Sequence, residues 1–214
     1  MRKYTILLGS ILLVLFVVLV SYTFFFQHNK NPFIAKVIIK SKAHAVLKTL
    51  KNQDMNRLAE FVHPEKGVRF SPYAYVELKS ENDMSADLDL AQENLVFTQE
   101  QIKNFFSIKE SFVWGTYDGS GEPMEFTPPD YYEAFVYDHD YLTAPQLGYN
   151  KIIGHGNTKN NSFKVYPGAI IVECHFPGFD DKFGGMDWAS LRLVFEKFKG
   201  TWWLVGIIHA GWTI

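Results

Sequence analysis

The chain has 214 residues, with 21 Lys/Arg against 23 Asp/Glu (net −2), 47% apolar residues, 16% aromatics and a single cysteine. One cysteine excludes an internal disulfide framework, and the length leaves room for about one domain with a substantial core. Residues 30–66 hold eight Lys/Arg and three Asp/Glu whereas residues 67–214 hold eleven and twenty, and so acidic a remainder argues against nucleic acid as a partner, since little there neutralises phosphates.

After Arg2 and Lys3, residues Tyr4 to Phe26 run 23 positions without a charge. As a helix that run spans roughly 34 Å, enough for a hydrocarbon core of about 30 Å. It exceeds the apolar region of about 7–15 residues in a cleavable signal peptide. Ser21-Tyr22-Thr23 is a poor cleavage site, and Cys174 lies far from where a lipid would be attached. The expectation is an uncleaved signal-anchor over 1–29, with residues 4–26 in the lipid bilayer as a single-pass transmembrane helix. A basic juxtamembrane stretch comes next over 30–42, then one globular domain over 43–214. Lysines near anionic headgroups each gain about 1 kcal/mol; a solvated helix face explains the same stretch. By simple count, Lys30, Lys36, Lys40 and Lys42 place the C-terminal side in the cytoplasm. The short basic start before a long apolar run favours the opposite, a domain outside the cytoplasm.

Asn31-Pro32 separates the apolar run from the rest of the chain. Ile39, Ala43, Val46, Leu47 and Leu50 recur at helical spacing and predict a helix over 34–51, stopping at Asn52. Asp54 caps a second helix whose inner face is Met55, Leu58, Ala59 and Val62, ended by His63-Pro64. Residues 67–76 read as extended. Residues 77–93 carry six acids and read as an acidic surface loop. Thr98 and Gln101 form a capping box opening a helix to Phe106. Residues 111–117 predict a strand, Asp118-Gly-Ser-Gly121 a turn, and Thr127-Pro128-Pro129 a helix running to Tyr137. Residues 143–162 read as loop. Residues 169–176, 189–198 and 201–210 predict three strands, the last two joined by Lys199-Gly200 as a hairpin. A regular hairpin there pairs residues whose numbers sum to 399. Arg192 then shares a face with His209 as its diagonal neighbour.

Helices followed by helix-interrupted antiparallel strands make an α+β domain. By analogy, a curved antiparallel sheet packed on helices, as in cystatin-like and nuclear-transport-factor-2-like folds, fits this order.

Motifs for chemistry are scarce. Asp118-Gly-Ser-Gly-Glu122 begins like a calcium loop, but prolines stand where the loop needs Gly and its last Glu, so it reads as a hairpin turn. Gly119-Ser-Gly121 and Gly154-His-Gly156 lack the rest of a nucleotide-binding loop. No serine sits in a nucleophile elbow. Asp138-His139-Asp140 reads as a solvated helix end rather than a metal site, and Cys174 as core packing. No metal and no cofactor is expected.

Four stretches carry a resemblance: His63-Pro-Glu-Lys-Gly-Val-Arg-Phe-Ser-Pro-Tyr73, Trp114-Gly-Thr-Tyr-Asp-Gly-Ser-Gly121, Gly185-Met-Asp-Trp-Ala-Ser-Leu-Arg-Leu-Val-Phe195 and Ile207-Ile-His-Ala-Gly-Trp-Thr-Ile214. Through them residues 43–214 resemble a family of uncharacterised envelope-anchored bacterial proteins, many of them lipoproteins. The resemblance implies a location at the cell membrane with the domain outside the cytoplasm. The chain departs in carrying a transmembrane anchor where relatives often carry a lipidated cysteine, and the resemblance brings no catalytic residues.

The remaining polar and aromatic residues form the candidate ligand-binding set: His63, Arg69, Tyr73, Trp114, Asp187, Trp188, Arg192, His209 and Trp212. Arginine beside tryptophan and tyrosine suits an anionic or sugar-like ligand. Taken singly, each reads first as part of a buried network, with Asp187 or another carboxylate pairing an arginine and the histidines capping backbone groups; as a set they are the best candidates in the chain. The expected function is a membrane-anchored extracytoplasmic domain that binds a small ligand or an envelope protein partner. The alternative is a small lyase, isomerase or hydrolase in which His63 or His209 is the general base, Asp187 orients it, and Arg69 or Arg192 stabilises a developing anion.

Overall fold

The computed structural model describes residues 32–78 and 94–213. The expected anchor over 4–26, and the acidic loop from residue 79 to 93, lie outside the described residues. The chain divides into two compact units, Met1–Ile38 and Ile39–Ile214. In the first, the described part is the start of α1 (Pro32–Lys51), whose Phe33 and Val37 are exposed. Among the described residues no helix is long and apolar enough to cross a membrane.

In the second unit the helical stripe Ile39, Ala43, Val46, Leu47 and Leu50 is buried, as the spacing predicts. Helix α2 (Met55–Ala59) starts where Asp54 accepts the Arg57 N–H at 3.0 Å. Both α3 (Gln99–Lys103), with its reciprocal Thr98–Gln101 capping box, and α4 (Pro128–Phe135), capped by Thr127, begin at their sequence signals. Helix α4 stops two residues short of expectation, and Tyr132 of α4 donates its hydroxyl to the Leu50 carbonyl of α1.

The strands are β1 (Val68–Ser71), β2 (Val96–Phe97), β3 (Phe112–Thr116), β4 (Pro123–Phe126), β5 (Gln146–Tyr149), β6 (Ile170–Phe176), β7 (Ala189–Phe198) and β8 (Thr201–Gly211). Six form one sheet in the order β2-β1-β8-β7-β6-β5, and β3 with β4 forms a separate hairpin. The domain is mixed α+β with a mostly antiparallel sheet; β1 alone pairs in parallel, against β8. Three expectations need correction. The extended stretch 67–76 is a strand only to Ser71, because the Ser71 hydroxyl donates to the Tyr73 and Tyr75 carbonyls and curls the chain after Pro72. The expected loop 143–162 contains strand β5 and leads into a short helix, α5 (Ser162–Val165). Strand β5 has an edge position and too few apolar residues to announce itself.

The third correction concerns register. Lys199 and Gly200 both adopt positive φ (49° and 83°), the tight turn that matches strand twist. Pairs from Phe198↔Thr201 to Phe195↔Leu204 sum to 399, but Val194 pairs Gly206 and Arg192 pairs Ile208. Val205 is the extra residue of a β-bulge. A one-residue slip turns every later side chain of β8 to the other face. His209 therefore lies opposite Leu191, and Arg192 and His209 occupy opposite faces of the sheet.

The two faces are filled differently. One carries Leu191, Leu193, Phe195, Ile207 and Phe70, and meets an aromatic assembly in which Phe70 lies edge-on to Phe97, Trp114 and Tyr131. The other carries Ile171, Val194, Val205 and Ile208, which pack with Val76, Tyr166 and Ala169. It also carries Glu173, His175, Ser190 and Arg192 as two cross-strand pairs.

Candidate functional site

The nine candidate residues do not share one pocket. Trp114 is fully buried; its indole stacks on Tyr131 at 3.7 Å and donates to the Phe126 carbonyl at 2.9 Å, so it belongs to the core. His63 is buried too. Its Nδ1 accepts the N–H groups of Glu65 (3.1 Å) and Lys66 (2.9 Å), making it the cap of the turn after α2. Burial first, and the Lys66 charge second, push its pKa down, while Glu196 and Glu65 oppose them.

Arg192 and Glu173 form an ion pair with no solvent exposure. Arg192 Nε and Nη2 donate to Glu173 Oε1 at 3.1 and 3.0 Å, and Nη2 also donates to the Gly154 carbonyl at 3.0 Å. The carboxylate in turn accepts the N–H groups of Ile153 (2.5 Å) and Gly154 (3.2 Å). Alongside, His175 Nδ1 lies 2.8 Å from Ser190 Oγ. Gly154 can approach this closely only without a side chain: a Cβ there would stand 2.5 Å from the Trp188 ring and 2.8 Å from Ser190 Oγ. Trp188 thus packs over this network. The carboxylate that pairs the arginine is Glu173, not Asp187. Each of these two apolar strands carries one charge in its apolar stretch, and that coincidence was the available signal for the pair.

Asp187 organises its own loop. Its Oδ2 accepts the N–H groups of Phe179 (2.9 Å) and Asp180 (2.7 Å); burial raises its pKa, but these hydrogen bonds outweigh burial and hold it below the usual carboxylate range. Trp212 is exposed. His209 faces acceptors on both ring nitrogens, the Pro72 carbonyl 3.0 Å from Nδ1 and Asp138 Oδ2 3.4 Å from Nε2. Asp138 is not the solvated helix end expected. It also takes the Tyr141 hydroxyl at 2.8 Å and meets His139 Nδ1 at 2.7 Å. Burial raises its pKa, but these hydrogen bonds and the His209 and His139 charges win and hold it low. The arrangement of His63 or His209 oriented by Asp187 beside an arginine is absent.

Arg69 and Tyr73 do line concavities, but separate ones. Arg69 donates to the Asn94 carbonyl at 2.6 Å and borders a cleft of about 170 Å³ with Lys66, Tyr166 and Glu196. Lys66 is paired there with Glu196. Tyr73 belongs to a larger groove of about 470 Å³. Its walls are Tyr73, Tyr75 and Glu77 after β1, the β3–β4 hairpin tip from Thr116 to Gly121, and Thr158. The tip is the turn expected at Asp118-Gly-Ser-Gly121, closed by the Tyr117 N–H on the Glu122 carbonyl at 2.8 Å. The Asp118 N–H reaches the Tyr73 hydroxyl at 3.3 Å and ties the two walls together.

The groove therefore presents three phenol rings, the hydroxyls of Thr116, Ser120 and Thr158, and the carboxylates of Glu77 and Asp118, with no lysine, arginine or histidine in its lining among the described residues. Tyr75 and Tyr117 are 47% and 39% exposed. Sequence reasoning found Tyr73 and missed the other walls. The excess of tyrosine flanking two turn segments was the usable signal. Among the described residues no group of three or more His, Cys, Asp or Glu could hold a metal ion. No protein-family model, curated protein or solved structure matches this chain.

Proposed function

We propose that the chain is a non-enzymatic binding domain, tethered to a membrane by residues 4–26 and facing outward from the cytoplasm, which takes a sugar-like ligand in the Tyr73–Tyr75–Tyr117 groove. The observation that carries this reading is the groove lining: exposed phenol rings for the apolar face of a polyol, with hydroxyls and carboxylates for its OH groups. Of the two ligand classes expected, the anionic one is disfavoured here, because Glu77 and Asp118 repel it. It fits only the smaller Arg69 cleft, where Lys66 already serves Glu196. The binding of an envelope protein partner is a compatible use of the same exposed tyrosines.

The chain reads further as a member of the envelope-anchored family whose four motifs it carries. Its sheet reads as the curved cone of cystatin-like and nuclear-transport-factor-2-like folds, a view supported by helices α1 and α2 preceding a six-stranded sheet. Titration of the detergent-solubilised chain with a panel of neutral and charged oligosaccharides tests the ligand. Tyr117→Ala should lose binding and keep the fold; unaltered binding in that variant excludes the groove. C-terminal fluorescent and phosphatase reporters test the topology, and a fluorescent fusion with an inactive phosphatase overturns it.

The enzyme alternative draws on one contact, His209 Nε2 near Asp138 Oδ2. Turnover of an ester or glycoside lost in His209→Gln but kept in Tyr117→Ala would favour it.

A further inference from the structure

We infer that the groove selects a polyol bearing a protonated amine, of which a glucosamine oligomer is the simplest case. This rests on the groove being the ligand site. A neutral sugar needs hydroxyl partners and aromatic faces, and Tyr73, Tyr75, Tyr117, Ser120 and the two threonines supply those. It does not need two carboxylates, and a neutral sugar leaves both without a counter-charge.

Glu77 is the more telling of the two. Its backbone is fixed on both sides by Asn94, whose Oδ1 accepts the Glu77 N–H at 2.7 Å and whose N–H donates to the Glu77 carbonyl at 3.1 Å. The residue is half-buried, and among the described residues no hydrogen bond or ion pair to its carboxylate is formed. Burial alone raises its pKa, with no neighbouring charge opposing. A half-buried carboxylate lining a groove without a counter-charge is a favourable place for a cation that arrives with the ligand. Asp118 stands on the opposite wall, at the hairpin tip, and Tyr117 beside it lines the same groove with an aromatic ring, a group that attracts cations. Cation, polyol face and hydroxyl acceptors therefore meet in one groove.

The test compares a glucosamine tetramer with an N-acetylglucosamine tetramer by calorimetry on the full chain in detergent. The amine form should bind at least tenfold tighter, and salt should weaken it selectively. Glu77→Gln should erase the difference while leaving the weaker neutral binding; Tyr117→Ala should abolish both. Equal affinities for the two tetramers overturn the amine inference and leave the groove reading standing. Binding of neither tetramer overturns the groove reading itself. An amine preference that survives both Glu77→Gln and Tyr117→Ala places the site elsewhere and overturns both.

Discussion

The two faces of the β6–β7–β8 sheet solve burial in opposite ways. The face under Phe70 is filled by ring on ring: Trp114 sits between Tyr131, 3.7 Å away and nearly parallel, and Phe97, 5.5 Å away. The opposite face is part apolar and part ionic, with Glu173, Arg192, His175 and Ser190 sealed beneath the backbone of Ile153 and Gly154. Aromatic packing tolerates small displacements. An ion pair without water does not, because each oxygen or N–H left without a partner is costly, and here, among the described residues, Arg192 Nη1 is already such a group. The first face rests on apolar burial alone, whereas the second joins an apolar cluster to an ion pair whose members are cross-strand neighbours, Glu173 opposite Arg192.

Variants can separate these roles. Trp114→Ala removes the centre of the ring assembly and should cost about 3–5 kcal/mol, as for large-to-small core changes, measured by urea unfolding of the solubilised chain. A loss under about 1 kcal/mol would mean the assembly re-collapses and is not the main support. Arg192→Met keeps volume but leaves Glu173 buried without its cation, so it belongs at the lower end of about 3–5 kcal/mol. The paired variant Glu173→Met with Arg192→Met should recover much of that loss. If the double variant is as unstable as the sum of the singles, the pair is not coupled as described. Gly154→Ala pushes a methyl into Trp188 and Ser190 and should cost about 1–3 kcal/mol, read as a lower unfolding midpoint with the fluorescence of Trp188 altered.

The same contrast explains what is legible in the sequence. Helix starts at Asp54, Thr98 and Thr127 are legible because a cap involves only three or four consecutive residues. The Lys199-Gly200 turn is legible for the same reason. The bulge at Val205 is not, since no run of three or four consecutive residues marks it, and a hairpin without it puts His209 beside Arg192. Trp114 and Tyr73 look alike as aromatic residues beside polar turns. Only the fold sends one into the core and the other to the groove. Glu173 escapes notice because its strand alternates as if it had one apolar face, while the structure buries both.

The smallest effect concerns pH and the turn at His63, where packing and polar satisfaction fall on one residue. Nδ1 accepts two backbone N–H groups, so that nitrogen must carry no proton; the ring also packs 4.8 Å from Phe198. Burial, then Lys66, lowers the folded pKa beneath the ordinary value of about 6.5. The unfolded chain therefore takes up the proton first as pH falls. By linkage the contribution of His63 is complete above about pH 6.5 and is lost as pH drops through the folded value. His175 is shifted the same way, chiefly by burial, and Asp138 acts only in the carboxylate range. The contribution of His63 is thus isolated by difference. Asn at this position can accept the same turn N–H groups through Oδ1 but does not titrate. The unfolding midpoint of the wild-type chain should fall between about pH 7.5 and about pH 5.5 more than that of His63→Asn, with the two converging at the lower pH. Parallel slopes would show that the His63 cap is not what the protons attack.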